Sequence, residues 1–149
     1  MVIIVAKDNE DHANSIAKTF HEAGALTIGL LDNADLECYD VVVVETSCTE
    51  YPDLIKALLQ PIATQGMIAY DFNDLQTALA DAKHFFIKSA TGPGNERVAE
   101  SIGFIKSTLA SSLLNKIERL SIFLYFNKEG KQLLVMQEMT ALTDFLSEL

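Results

Sequence analysis

Five apolar runs constrain this chain more than any other feature: VIIVA (2–6), ALTIGLL (25–31), DVVVVE (40–45), HFFIKSA (84–90) and LSIFLYF (120–126). They are continuous rather than alternating. Strands that read this way are covered on both faces, the signature of a parallel sheet between helix layers. The intervening stretches carry helical stripes. Ala13, Ile16, Ala17 and Phe20 form one, with Gly24 at the C-cap position. Leu54, Ile55, Leu58, Leu59 and Ile62 form a second, and Phe72, Leu75 and Leu79 a third. Val98, Ile102, Ile105 and Leu109 form a fourth, and Met139, Leu142, Phe145, Leu146 and Leu149 a fifth. The pattern predicts an α/β fold: three layers, with a mostly parallel sheet of about five strands alternating with helices. One link breaks the rhythm. Only about eight residues separate 25–31 from 40–45, too few for a crossover helix.

A length of 149 residues suits one compact domain, 1–149, with sub-lobes 1–66 and 67–149 left open. The net charge of −10 argues against nucleic acid and anionic membrane surfaces, which both need basic patches. No apolar stretch approaches the roughly 18 residues of a membrane helix. The start MVIIVAKDNE lacks a basic n-region and a small-residue cleavage site, so no signal peptide is read. Cys38 and Cys48 make neither a disulfide framework nor a zinc motif, which points to a reducing cytoplasm.

Candidate chemistry is sparse. The loop after the first run, KDNEDHA, has no glycine, and acidic residues surround it: Asp8, Glu10, Asp11 and, later, Glu22. A phosphate-binding turn needs glycines so that backbone amides can approach the anion. The acids suit a helix start; a cation site on Asp8 and Asp11 is the alternative. His12, His21 and His84 show no metal-ligand spacing and read as surface or packing residues. Cys48 follows a strand end, but no Lys or His nearby in sequence would activate it. The loop ATGPGNERVAE (90–100) carries Gly92 and Gly94 into a helix and reads as a structural turn. In GMIAYDFNDLQTALADA (66–82), Asp71 suits an N-cap and Asp74 the third helical position, where a carboxylate favours the helix N-terminus.

Several of these pieces, taken in order, resemble FtsZ, the cell-division GTPase of the tubulin family. EAGALTIGLL (22–31) looks like the strand after that family's nucleotide-loop helix. Residues 66–82 look like its T7 loop and following helix, with Gly66, Asp71 and Asp74 at matching positions. SATGPGNERVAESI (89–102) and SSLLNKI (111–117) resemble two later segments, and MTALTDFLSEL resembles the helix before the family's final two strands. The collinear match spans nearly the whole chain and implies the second half of the FtsZ fold. The glycine-rich G-G-G-T-G-T-G loop would fall at KDNEDHA and is absent, and Ala69 stands at the T7 asparagine position. In the family, the T7 loop inserts into the next subunit's nucleotide pocket and positions the hydrolytic water.

A second resemblance is to response-regulator receiver domains. It rests on the acidic turn after the first strand, on Glu45 at the phosphoacceptor position and on Lys88 after a late strand.

The first resemblance implies a degenerate relative that neither holds GTP nor needs a cofactor. Such a chain would act by protein–protein interaction in the cytoplasm, with itself as a homo-oligomer or with a polymerising FtsZ. The alternatives it leaves are an inactive receiver-like signalling domain and a partner that supplies Asp71 and Asp74 in trans to another subunit's GTP. Self-association is expected through Ile122, Leu124 and Phe126 together with Leu142, Phe145 and Leu149.

Overall fold

The computed structural model describes residues 1–32, 34–46, 51–109, 116–126 and 134–149. The chain divides into two compact units, Met1–Lys88 and Ser89–Leu149. The division therefore falls after Lys88, not after Gly66.

The first unit holds a four-stranded, all-parallel sheet. Its strands are β1 (Val2–Val5), β2 (Thr27–Leu30), β3 (Val41–Thr46) and β4 (His84–Ile87), lying side by side in chain order. Three helices complete the unit: α1 (Glu10–Glu22), α2 (Tyr51–Ala63) and α3 (Phe72–Leu79). Alternation along the strands splits the core in two. Ile3, Ile28, Leu30, Val41 and Val43 face Leu54 and Leu58 of α2 and Leu75 and Leu79 of α3. Ile4 and Val42 face Ala13 and Ala17 of α1. The sheet thus lies between two helix layers, the expected three-layer α/β arrangement.

Both helical crossovers advance the same way across the sheet, β1 to β2 over one face and β3 to β4 over the other. They therefore have opposite hands, and one departs from the right-handed rule for parallel crossovers.

Helix α1 ends as the sequence predicts. Gly24 takes φ 77° beyond the C-cap residue Ala23. Its amide donates to the His21 carbonyl, and the Ala25 amide donates to the Phe20 carbonyl. These are the paired bonds of a Schellman motif, which needs a residue at ease with positive φ. The buried face of α1 is narrower than the stripe suggested. Ala13 and Ala17 are buried, but Ile16 and Phe20 are exposed. Phe72 of α3 is likewise exposed, while Leu75 and Leu79 are buried.

The helix-free link from β2 to β3 is part of the core. Leu31, Cys38 and Tyr39 pack with Ile4, Ala13, Ala17 and Val42. Its end is held by Asp40, whose Oδ2 accepts from the Thr27 amide at 2.6 Å and the Thr27 hydroxyl at 2.8 Å. His21 Nδ1 lies 3.5 Å from the same oxygen. Burial pushes the Asp40 carboxyl up. The two Thr27 donors and then His21 outweigh it and hold the group below its ordinary value. Tyr39 is buried with its hydroxyl lacking a hydrogen-bond partner among the described residues, and burial raises its pKa to about 12.

The second unit contains α4 (Arg97–Thr108) and α5 (Met136–Ser147), which pack together. Val98, Leu109 and Phe145 are buried. The Arg97 guanidinium joins the helices through two bonds to the Glu138 carboxylate, Nε to Oε1 at 2.7 Å and Nη2 to Oε2 at 3.1 Å. It also lies over the Phe126 ring, 4.9 Å from its centroid. Glu138 accepts the Val135 amide at 3.0 Å as well. Arg97 and then this amide hold its carboxyl below the ordinary range. Lys106 pairs with Glu148 near the far ends of the two helices.

The expected fifth strand, residues 120–126, is not a strand, and the sheet among the described residues has four. A strand exists only as part of a ladder. This run lies in the second unit and finds no ladder partner among the described residues. Leu120, Ile122, Phe123, Leu124 and Tyr125 are exposed.

Two outcomes follow. Tyr39→Phe removes an unpartnered buried hydroxyl, so chemical denaturation should show equal stability or a gain of up to about 1–3 kcal/mol. A clear loss would mean that the hydroxyl has a partner. Asp40 has a depressed folded pKa, so its contribution is complete above the ordinary aspartate value of 3.8 and drains away as pH falls through the folded value. Asp40→Asn should therefore give a lower melting midpoint at neutral pH and a shallower decline on acidification. A decline as steep as that of the parent chain would rule the linkage out.

Candidate functional site

Residues 64–70 lead from the end of α2 to the start of α3. Leu58 and Pro61 anchor the last turns of α2. The chain then leaves the core, and residues 63–69 are all exposed. Met67 and Ile68 are 106% and 86% exposed. Two adjacent large apolar residues standing free of the core are unusual in a folded unit, where such groups are normally at least partly covered.

The base of this loop is fixed by the start of α3. Asp71 adopts an extended backbone, and its Oδ1 accepts the Asn73 amide at 2.7 Å and the Asp74 amide at 3.1 Å. Asp74 reaches back, its Oδ2 accepting the Asp71 amide at 2.9 Å. This is a reciprocal capping box built from two aspartates, and it satisfies three amides the helix cannot pair itself. The sequence expectation for Asp71 is met, and Asp74 sits exposed in the first turn. Their carboxylates are engaged with their own backbone. Gly66 is exposed at the other end of the loop.

The remaining candidates lie apart from this loop. Asp8 and Asp11 flank the start of α1, where Asn9 takes a left-handed φ of 65° and makes no side-chain cap. Beside them is a cleft of about 390 Å³ lined by Ile4, Val5, Lys7, Asp8, His12 and Ile16. Lys7 turns from the cleft mouth toward Tyr51, its Nζ 5.5 Å from the ring centroid. No group of three or more His, Cys, Asp and Glu residues able to hold a metal lies together among the described residues.

The histidines are separate. His21 joins the Asp40–Thr27 cluster, His12 lines the cleft, and His84 is exposed at the start of β4. Cys38 is buried, and its thiol, raised by burial and then by Asp35, donates to Asp35 Oδ2 at 3.4 Å. Cys48 lies outside the described residues, as does most of residues 111–117. Around Gly92 the chain passes so close to Arg97 that an added Cβ would sit 2.1 Å from its carbonyl oxygen. That loop is a tight structural turn, and its arginine is committed to Glu138.

Strand order bears on the receiver-like reading. The flavodoxin-like order 2-1-3-4-5 sets the first and third strands side by side. Here β2 lies between them, so the turn after β1 and the position of Glu45 are about two strand spacings, roughly 10 Å, apart.

Sequence reasoning missed the exposure of Met67 and Ile68. In sequence they continue the apolar run before Asp71, and the only available signal was Gly66 ahead of them. No protein-family model, curated protein or solved structure matches the chain.

Asp71→Ala should cost about 0.5–2 kcal/mol of stability, the usual value of an N-cap carboxylate. Urea denaturation measures it. Full stability in this variant would show that the cap carries no weight.

Proposed function

We propose that the chain is a non-catalytic, FtsZ-like interaction protein of the cytoplasm, pairing with its own kind or with a polymerising FtsZ in cell division. The observation that carries this reading is the exposed Met67–Ile68 pair on a loop with a firmly capped base. A short apolar knob on a preorganised support suits burial in another chain, because little ordering entropy is lost on binding. The order of FtsZ-like motifs supports FtsZ as that chain. The capping box supports a structural duty for Asp71 and Asp74, since one oxygen of each is bonded by the backbone amides of the helix start. The acidic, glycine-free turn after β1 supports a chain that leaves nucleotide to its partner. No helix among the described residues is long and apolar enough to cross a membrane.

The test is co-sedimentation with GTP-assembled FtsZ polymers. The parent chain should pellet with the polymer. The double variant Met67→Ser/Ile68→Ser should bind about tenfold more weakly or worse, as for a lost interface anchor. Its melting midpoint should be unchanged, because neither side chain is buried. Equal binding by both proteins would exclude the loop as the contact.

A further inference from the structure

Strand β1 lies at one edge of the sheet among the described residues. The amides of Val2 and Ala6 donate to the carbonyls of Leu26, the residue before β2, and of Leu30 at its end. Alternate residues of a parallel strand share one edge, so Ile4 completes that row. The N–H and C=O groups of Ile3 and Val5 therefore point to the open edge.

Natural edge strands are usually guarded by a charge, a proline or a bulge. Residues 1–6, MVIIVA, contain no charged residue and no proline, and the β1–β2 register is unbroken. The opposite edge is better guarded. β4 is flanked by Lys83 and Lys88, and its pairing with β3 is irregular at Val43–Glu45.

The surface beside the open edge is also apolar. On the α1 side, Ile16 and Phe20 are 39% and 42% exposed; on the other face, which Val5 shares with Ile3 by alternation, Val5 is 39% exposed. Ile16 lines the cleft together with Ile4 and Val5, so this side of α1 looks out over the edge. At 100° per residue, Asn9, His12, Ile16 and Phe20 form one stripe. Glu10, Asp11, Lys18, His21 and Glu22 fall away from it. In a chain of net charge −10 the α1 stripe thus carries no carboxylate, and Asp8, with Lys7 beside it, is the acid that lines the cleft next to it.

We propose that β1 is the seam of a symmetric dimer in which two copies pair antiparallel and join their sheets into one of eight strands. The register follows from which groups are free. A two-fold axis at Ile4 sets Ile3 opposite Val5 of the second copy, and Val5 opposite its Ile3. Each such pair exchanges two hydrogen bonds, and the two Ile4 residues meet as the non-hydrogen-bonded pair between them. The contact is self-complementary, as a closed dimer requires.

Helix geometry selects a second copy over an arbitrary strand. α1 packs on both β1 and β2. Its axis therefore lies about half a strand spacing inside β1, and the two-fold lies half a spacing outside it. The two α1 axes come about two spacings apart, close to 10 Å, which is an ordinary helix-packing distance. Ile16 and Phe20 of each copy then lie between the helices and lose their exposure. A lone peptide strand would pair with the edge but leave that stripe bare.

This inference specifies the self-pairing arm of the function proposed above, and it uses β1 and α1 rather than residues 120–126. Sedimentation equilibrium from low to high micromolar concentration tests it. The parent chain should approach twice its 16.4 kDa mass. Val5→Lys and Ile16→Glu, both at exposed positions, should each return the single-chain mass with an unchanged circular dichroism spectrum. Ile4→Cys should form a disulfide-linked dimer under mild oxidation where the parent does not, since the paired Cα atoms would be about 4.5 Å apart. A dimer that persists in both charged variants overturns the β1 seam while leaving self-pairing through another surface. A parent chain of single mass at every concentration overturns self-pairing altogether, and FtsZ binding is read separately by co-sedimentation.

Discussion

The burial of β2 on both faces is the constraint from which the first unit follows. Thr27 and Ile28 are fully buried and Leu30 is 2% exposed. Each aliphatic side chain so removed from water contributes about 1.5–3 kcal/mol. Covering both faces needs a layer on each side. The link Leu31–Asp40 is too short for a helix, so it shares one face with α1 through Leu31, Cys38 and Tyr39. The other face would be bare unless α2 and α3 crossed beneath it. With the strands in sequential order, that demand forces the two helical crossovers to opposite hands. The handedness rule is a preference for how one unit packs back on its sheet, and here complete cover of the central strand outweighs it.

The acidic composition meets the same economy. Asp71, Asp74, Asp40 and Glu138 each satisfy backbone amides or a neighbouring side chain. Carboxylates that accept such directed bonds hold helix starts and strand junctions in place. They are stabilising as anions and are already occupied. Opportunities for new contacts in the first unit therefore lie with apolar groups, the Met67–Ile68 pair and the β1 edge.

Much of this was legible in the sequence wherever local chemistry decides. Four apolar runs became strands. Gly24 ended α1, Asp71 and Asp74 opened α3, and the stripe of Val98, Ile102, Ile105 and Leu109 turned inward at both ends. What stayed illegible depends on neighbours. LSIFLYF has strand composition, but composition cannot supply a ladder partner. Ile16 and Phe20 match the helical period of Ala13 and Ala17, yet at an open edge no second element among the described residues covers their side of α1. Tyr39 and Cys38 looked like loop residues because the missing crossover helix gave no hint that the link itself would become core. The Arg97–Glu138 pair joins residues 41 positions apart, and no local pattern announces it. Strand order is of the same kind, since a parallel sheet can be threaded in several orders with one sequence pattern.

The two unguarded features differ in the assemblies they permit. Pairing at β1 is isologous. Once two copies meet, each has spent its open edge, and growth stops. The knob at Met67–Ile68 follows α2, which packs toward β4, the edge opposite β1. A dimer closed at β1 therefore leaves both knobs uncovered, one on each copy. Such a particle is bivalent. Two knobs engaging neighbouring subunits of one polymer would bind more tightly than either alone, because the second contact forms at the high effective concentration set by the first. The closed seam and the free knob are then complementary. In the proposed assembly the seam would limit self-association to two copies, and the knob, doubled by it, would hold the pair to a repeating partner.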